Sequence, residues 1–183
     1  MIDRTGRVGA VFAKCHLFSP AGEDRVYVPG NEISLFPLSG LKCGIAICYD
    51  LRFGALFRLY ERAGAGAVFV PAAWPAERIQ HWILLARARA LENRMYIVGI
   101  NTTGTNVVGN YSGHSIVVDP EGNVVNEAGD GEELLVTELD PEQVIQARRR
   151  SKVRQDERSG LYHSLNKNIR ESEDTDYNPV KRR

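Results

Sequence analysis

Short apolar runs alternating with helix-patterned stretches constrain this chain more than any other feature. Residues 41–48 (LKCGIAIC) read as a strand, and residues 51–63 place Leu56, Leu59, Tyr60 and Ala63 at helical spacing before Gly64 stops the helix. Residues 67–70 (AVFV) are continuous and apolar, as in a strand covered on both faces, and they end at Pro71. Residues 77–93 follow with good helix formers. Ile79, Trp82, Ile83, Ala86 and Ala90 lie along one side, and Leu84, Leu85 and Leu91 widen the stripe, predicting a helix packed on more than one face. Further strands are predicted at 96–101, 113–118 and 134–139, with a turn at residues 119–122 leading from the second of these into Val124 and Val125. An earlier strand is predicted at 7–18, entered through the turn at Thr5 and Gly6. Pro20, Gly22, Pro29 and Gly30 punctuate residues 19–31 as a loop. Asp140, Pro141 and Glu142 read as an N-cap, a first-turn proline and a first-turn acid, opening a last helix to about Arg150. Strands that alternate with helices and then end in hairpins define a mixed α/β layered fold.

Composition narrows the setting. The 183 residues are 43% hydrophobic and 25% charged with no formal net charge, enough apolar material for one domain with a real core. Residues 166–183 are polar and aperiodic and are expected to be a disordered tail, leaving residues 1–165 as the domain. No apolar stretch is long enough to span a bilayer, and Met1 to Arg4 begin with charge where a secretory signal needs an apolar core, so no membrane partner and a cytoplasmic location are expected. Cys15, Cys43 and Cys48 lie in or beside apolar segments, which argues against a disulfide framework. Scattered histidines (His16, His81, His114, His163), with no CxxC and no HExxH, argue against a metal. Arg148, Arg149, Arg150, Lys152 and Arg154 lack interleaved aromatics and read as a solvated helix end rather than a nucleic-acid surface.

Two residues carry chemical interest on their own. Cys48 stands where a strand gives way to a helix, a turn that can present a thiol while nearby backbone N–H groups face a developing oxyanion. Taken alone it reads more readily as a small core filler. Lys14 interrupts an apolar run, and period-two geometry would put Lys14 and His16 on one face with Cys15 on the other. An ammonium facing a cleft can lower a thiol's pKa and stabilise a tetrahedral oxyanion; a lysine snorkelling at a sheet edge is the bland alternative.

Joined in order, residues 14–18 (KCHLF), 29–32 (PGNE) and 44–53 (GIAICYDLRF) resemble the signatures of the nitrilase superfamily of carbon–nitrogen hydrolases. The likeness continues through Pro71 and Ala72, Trp74 and Pro75, His81 and Trp82, residues 87–93 (RARALEN) and residues 111–115 (YSGHS), and runs from about Ile2 to about Tyr162. The branch it is most similar to is that of the ω-amidases, which hydrolyse small carboxamides such as α-ketoglutaramate. The resemblance implies an αββα sandwich, here in part, no cofactor, a small-molecule amide substrate and a homo-oligomer. It also implies Cys48 as the nucleophile, Lys14 and the backbone N–H of Tyr49 as oxyanion donors, and Glu23 as a glutamate that orients the site. Asp50 and Arg52 are expected to pair and fix the nucleophile's turn, or else to be an ordinary first turn. Trp74, His81 and Trp82 are read as pocket walls or, alternatively, as core. Arg87, Arg89 and Glu92 are read as structural ion pairs at helical spacing.

The chain also departs from the family pattern. An early glutamate that serves the family as general base has no match in residues 1–13, where Asp3 is the only carboxylate, so the expectation is a domain lacking its N-terminal strands and helices. Gly54 and Ala55 stand where relatives often carry a proline–glutamate pair, and Cys15 replaces an aliphatic residue. A non-catalytic remnant or interaction module, and a nitrile or carbamoyl hydrolase, therefore stand beside the amidase reading.

Overall fold

The computed structural model, which describes residues 1–158, 160, 161, 164 and 165, contains a six-stranded sheet and a separate two-stranded hairpin. The strands are β1 (Leu35–Leu38), β2 (Leu41–Ile45), β3 (Ala67–Ala72), β4 (Tyr96–Asn101), β5 (Thr103–Thr105), β6 (Asn110–Ser112), β7 (Ile116–Val118) and β8 (Val124–Glu127). In the large sheet the order is β1-β2-β3-β4-β7-β8; β5 pairs with β6. β2, β3 and β4 run parallel, joined through helices α1 (Gly54–Arg62) and α2 (Ile79–Asn93), and the outer pairs are antiparallel. The predicted βαβαβ alternation is therefore present, and the fold is mixed α/β as expected. Helix α3 (Pro141–Arg150) opens as read, with Asp140 Oδ1 accepting the Glu142 N–H at 2.8 Å.

Side-chain alternation along the middle strands fixes which face holds the helices. Val68, Val70, Ile97, Ile116 and Val118 join Leu56, Phe57 and Tyr60 of α1 and Trp82, Ala86 and Ala90 of α2 in the main core. Their neighbours Ala67, Tyr96 and Val117 point the other way, into a smaller cluster with Phe36, Leu41, Cys43 and Val144 of α3. Phe69 and Val98 lie at the partly exposed edge of that second cluster. The main core is thus the sheet-to-helix layer, and it closes directly beneath the turn that follows β2.

Residues 1–150 and 151–183 are separate compact units. In the second, helix α4 (Val153–Asp156) is short, and Ser164 Oγ donates to the Leu161 carbonyl at 2.8 Å. The tail expected at residues 166–183 lies outside the described residues.

Several local expectations need correction. Residues 7–18 form no strand, and their region holds only an isolated bridge between Ile2 and Val8. β-propensity reports fit to a pleated neighbour, and no strand of the sheet pairs with this segment. Residues 134–139 alternate between exposed and half-buried, as predicted for a strand, but form no ladder; Asn126 Nδ2 instead donates to the Val136 carbonyl at 3.2 Å. Leu59 of α1 is exposed, and so are Leu84 and Leu91 of α2, so α2 packs on a narrower stripe than its composition suggested. Part of its buried surface is polar: Arg89 and Asn93 are inside, with Asn93 Nδ2 donating to the Arg89 carbonyl at 2.8 Å.

Arg89 links the helix to the turn after β2. Its Nε donates to the Leu51 carbonyl and its Nη2 to the Arg52 carbonyl, both at 3.0 Å, while Nη1 pairs with Glu92 at 3.1 Å. Gly54 makes room for this, since a Cβ there would lie 3.0 Å from Arg89 Nη1. The departure from the family pattern at Gly54 thus coincides with a close approach of the guanidinium. Replacing Arg89 by Met leaves the Leu51 and Arg52 carbonyls without their donors and is expected to cost about 3 kcal/mol in urea unfolding. A loss of less than about 1 kcal/mol would mean that water or a neighbour takes over those bonds.

Candidate active site

The turn after β2 is built around a buried carboxylate. The chain stays beside β3 past Ile45, with Ala46 N–H donating to the Phe69 carbonyl at 2.9 Å. Ile47 is extended, and Cys48 then turns to φ +47°, a left-handed conformation that costs a residue with a Cβ roughly 1–2 kcal/mol. Residues Cys48–Arg52 complete a short 3₁₀ turn. Asp50, fully buried within it, accepts the Ile47 N–H on Oδ2 at 2.9 Å. Its Oδ1 accepts the His16 N–H and meets His16 Nδ1, each at 2.8 Å. Three donors on one buried carboxylate offset its loss of hydration. The expected pairing of Asp50 with Arg52 is replaced by this bond to His16.

Cys48 opens onto a cleft of about 1140 Å³ whose walls include Lys14, Glu23, Tyr49, Arg52 and Trp74. The cleft lies beyond the carboxyl ends of parallel strands, where open α/β sheets bind ligands. Lys14 Nζ reaches Glu23 Oε2 at 2.6 Å, and the same oxygen accepts the Phe18 N–H at 2.8 Å. Burial works against ionised Glu23, but the Lys14 hydrogen bond, the Phe18 N–H and the Lys14 charge outweigh it and hold the carboxyl below its ordinary value. Burial pushes the Cys48 thiol up and Glu23 adds to the rise, while the backbone at Ala73, the Lys14 charge and the backbone at Tyr49 oppose it. The thiol donates to the Ala73 carbonyl at 3.9 Å. Cys43 is enclosed in the second core cluster, where burial pushes it to about 11, and Cys15 packs against the main core. Of the three thiols, Cys48 is the one that lines the cleft.

The remaining candidates divide. Arg52 lies over the Trp74 ring, 4.9 Å from its centroid, with Nη2 at 3.5 Å from His81 Nδ1. Trp74 is nearly buried yet still forms a wall, and its Nε1 donates to the Arg78 carbonyl at 2.9 Å. Trp82 belongs to the core: it is fully buried, donates to the His114 carbonyl at 2.8 Å, and lies outside the cleft lining. His81 is exposed, lies outside the cleft lining and meets Arg52. Strand periodicity would put Lys14 and His16 on one face; without a strand, Lys14 faces the cleft and His16 faces Asp50.

Asn101 was not anticipated. At the end of β4 its Oδ1 accepts the Trp74 N–H at 2.7 Å, and its Nδ2 donates to the Trp74 and Gly113 carbonyls at 3.3 and 2.6 Å. It pins the loop that carries Ala73 and Trp74 behind Cys48. A polar residue closing the apolar run 96–101 was the available signal. Glu77, Arg78 and Tyr111 also line the cleft.

The class these features define is a cysteine-centred cleft on an α/β sheet, with an ammonium and a turn backbone beside the thiol. A family model for carbon–nitrogen hydrolases matches residues 1–149, and the chain belongs to that family. It is 36% identical over 160 residues to a 2-oxoglutaramate amidase of Bacillus subtilis (strain 168), covering 87% of this chain and 62% of that protein. It is 38% identical over 176 residues to omega-amidase NIT3 of Saccharomyces cerevisiae, covering 91% of this chain and 60% of that protein. The solved structure of S. cerevisiae Nit3, a member of branch 10 of the nitrilase superfamily, superposes with a TM-score of 0.66 at 40% identity over 74% of this chain and 50% of that one. A carbon–nitrogen hydrolase from Helicobacter pylori G27 shares the fold, with a TM-score of 0.83 at 24% identity over 90% of this chain and 63% of that one. The chain thus spans about three fifths of the length of the curated relatives it matches.

Because the thiolate is the reactive form and burial raises the Cys48 thiol, iodoacetamide labelling of Cys48 is expected to climb with pH to values above those of an ordinary thiol, about 8.5. A rate that levels off below that value would contradict the geometry.

Proposed function

We propose that the chain carries the cysteine half-site of a hydrolase that cleaves the C–N bond of a small carboxamide, ω-amidase-like in substrate, through a Cys48 thioester. The supporting observation is the placement of Cys48 on a left-handed turn in the same cleft as Lys14. In this reading the Cys48 sulfur attacks the amide carbonyl, and the oxyanion that forms is met by the Lys14 ammonium and the Tyr49 N–H. The C–N bond breaks, the nitrogen takes up a proton and leaves as ammonia, and water then adds to the thioester. The products are a carboxylate and the regenerated thiol. Glu23 holds Lys14 in place. Arg52, supported by the Trp74 ring rather than by Asp50, suits a carboxylate at the far end of the substrate. An amide such as α-ketoglutaramate has that shape, and the names of the Bacillus and Saccharomyces relatives agree with it. The free state of all three cysteines fits a reducing cytoplasm, and the exposed apolar Leu134, Val136 and Ile100 fit self-association.

One observation favours a second reading, a catalytically impaired module of the same fold. The thiol is pushed up by burial, and neither cleft carboxylate is assigned as its base: Glu23 is committed to Lys14 and Phe18, and Glu77 lies on the turn before α2. Positioned acid–base groups contribute about a hundred- to ten-thousand-fold. Ammonia release from α-ketoglutaramate separates the two. The hydrolase reading predicts release that is abolished by Cys48→Ala and lowered about a hundredfold or more by Lys14→Ala. No release by the folded chain with any of several small carboxamides would leave the impaired module.

A further inference from the structure

The segment that delivers Lys14 is not held by the sheet. Residues 13–18 form no ladder with any strand, so their registry with the Cys48 turn depends on individual contacts. The Lys14–Glu23 pair does not supply that registry. Glu23 sits on a 3₁₀ turn (Glu23–Arg25) only a few residues downstream, and its carboxylate is bonded back to Phe18 of the same segment. Gly30 N–H donates to the Lys14 carbonyl at 2.9 Å, again from the neighbouring loop. The hydrogen bonds that cross from this segment to the Cys48 turn, from the His16 N–H and the His16 ring, both end on Asp50. A carboxylate only accepts, so Nδ1 carries the proton of the ring bond. The imidazole also stacks on Phe53 with a centroid distance of 3.7 Å and planes 7° apart, and Phe18 meets Tyr49 edge-on at 5.0 Å.

We propose that His16 and Asp50 act as a positioning pair that sets Lys14 against the Cys48 sulfur. Asp50 stands two residues after the cysteine and also binds the Ile47 N–H immediately before it, so one carboxylate spans the turn and takes hold of the lysine's segment. His16 stands two residues after Lys14, and its stacked ring prevents the segment from sliding along the turn. Neither residue lines the cleft, and neither touches the place a substrate would occupy. They act through Lys14.

The inference rests on the reading of Cys48 as the reactive thiol, but its test needs no turnover. Lys14 and Glu23 are the charged groups that act on the Cys48 thiol. The pH midpoint of Cys48 labelling by iodoacetamide, read by peptide mass on the full chain, therefore reports where the Lys14 charge sits. His16→Ala is expected to raise that midpoint by about one unit, a tenfold loss of labelling at fixed pH below it. His16→Gln, which keeps a side-chain donor for Asp50, is expected to recover most of the loss. In a Lys14→Ala background His16→Ala is expected to add almost nothing, because the charge it positions is gone. A midpoint unmoved by His16→Ala, or an equal shift with and without Lys14, overturns the proposal. Asp50→Asn, which keeps the shape of the carboxylate, replaces His16→Ala in the same cycle if that variant does not fold. Ammonia release is scored separately. Intact coupling without release would overturn the hydrolase reading alone, and release without coupling would overturn the positioning pair alone.

Discussion

The Asp50 carboxylate is the contact on which the site depends. Buried in the turn after β2, it fixes the backbone on the near side of Cys48 through Ile47 and ties in a segment 34 residues earlier through His16. A buried carboxylate without donors would be costly, so the fold and the hydrogen bonds are mutually dependent. Arg89 performs the matching task at the far end of the turn, where it satisfies the Leu51 and Arg52 carbonyls from α2. The left-handed conformation of Cys48 is held from both sides, and such over-determination is what allows a non-glycine residue to persist there.

Packing explains why the turn stands where it does. β2, β3 and β4 bring their carboxyl ends to one edge, and the helical layer of Leu56, Phe57, Trp82 and Ala86 closes the core beneath it. The opposite face of the sheet is covered less completely, with Phe69 and Val98 only partly buried. The cleft is walled on one side by the rigid strand ends and on the other by loops that carry Lys14, Glu23 and Tyr27. Asn101 reaches across from β4 to hold the Trp74 loop, so even the loop wall beside Cys48 is anchored to the sheet.

What was legible in the sequence is what local periodicity encodes. The strand at 41–48, the apolar run from Ala67 and the helix over residues 77–93 each carry their own pattern, and each formed where expected to within a few residues. Residues 7–18 carry a strand pattern but pair with no strand, and pairing is not a local property. Trp74 and Trp82 look alike in the sequence and both join the main core; only the fold shows that Trp74 also reaches the cleft wall. The resemblance to carbon–nitrogen hydrolases drew attention to Lys14, Glu23 and Cys48, and these three share one cleft. The bond from His16 to Asp50 was not legible, because a carboxylate after a cysteine reads as an ordinary helix start until the fold brings a histidine to it.

The central claim is that this turn makes Cys48 a nucleophile toward an amide carbonyl. Its most direct test is intact-mass and peptide-mass analysis of the chain quenched in acid during incubation with a small carboxamide. The account predicts an adduct equal to the substrate less ammonia, confined to the peptide containing Cys48. A bare Cys48 thiol at every time point while ammonia accumulates, or an adduct on Cys15 or Cys43 instead, would contradict it.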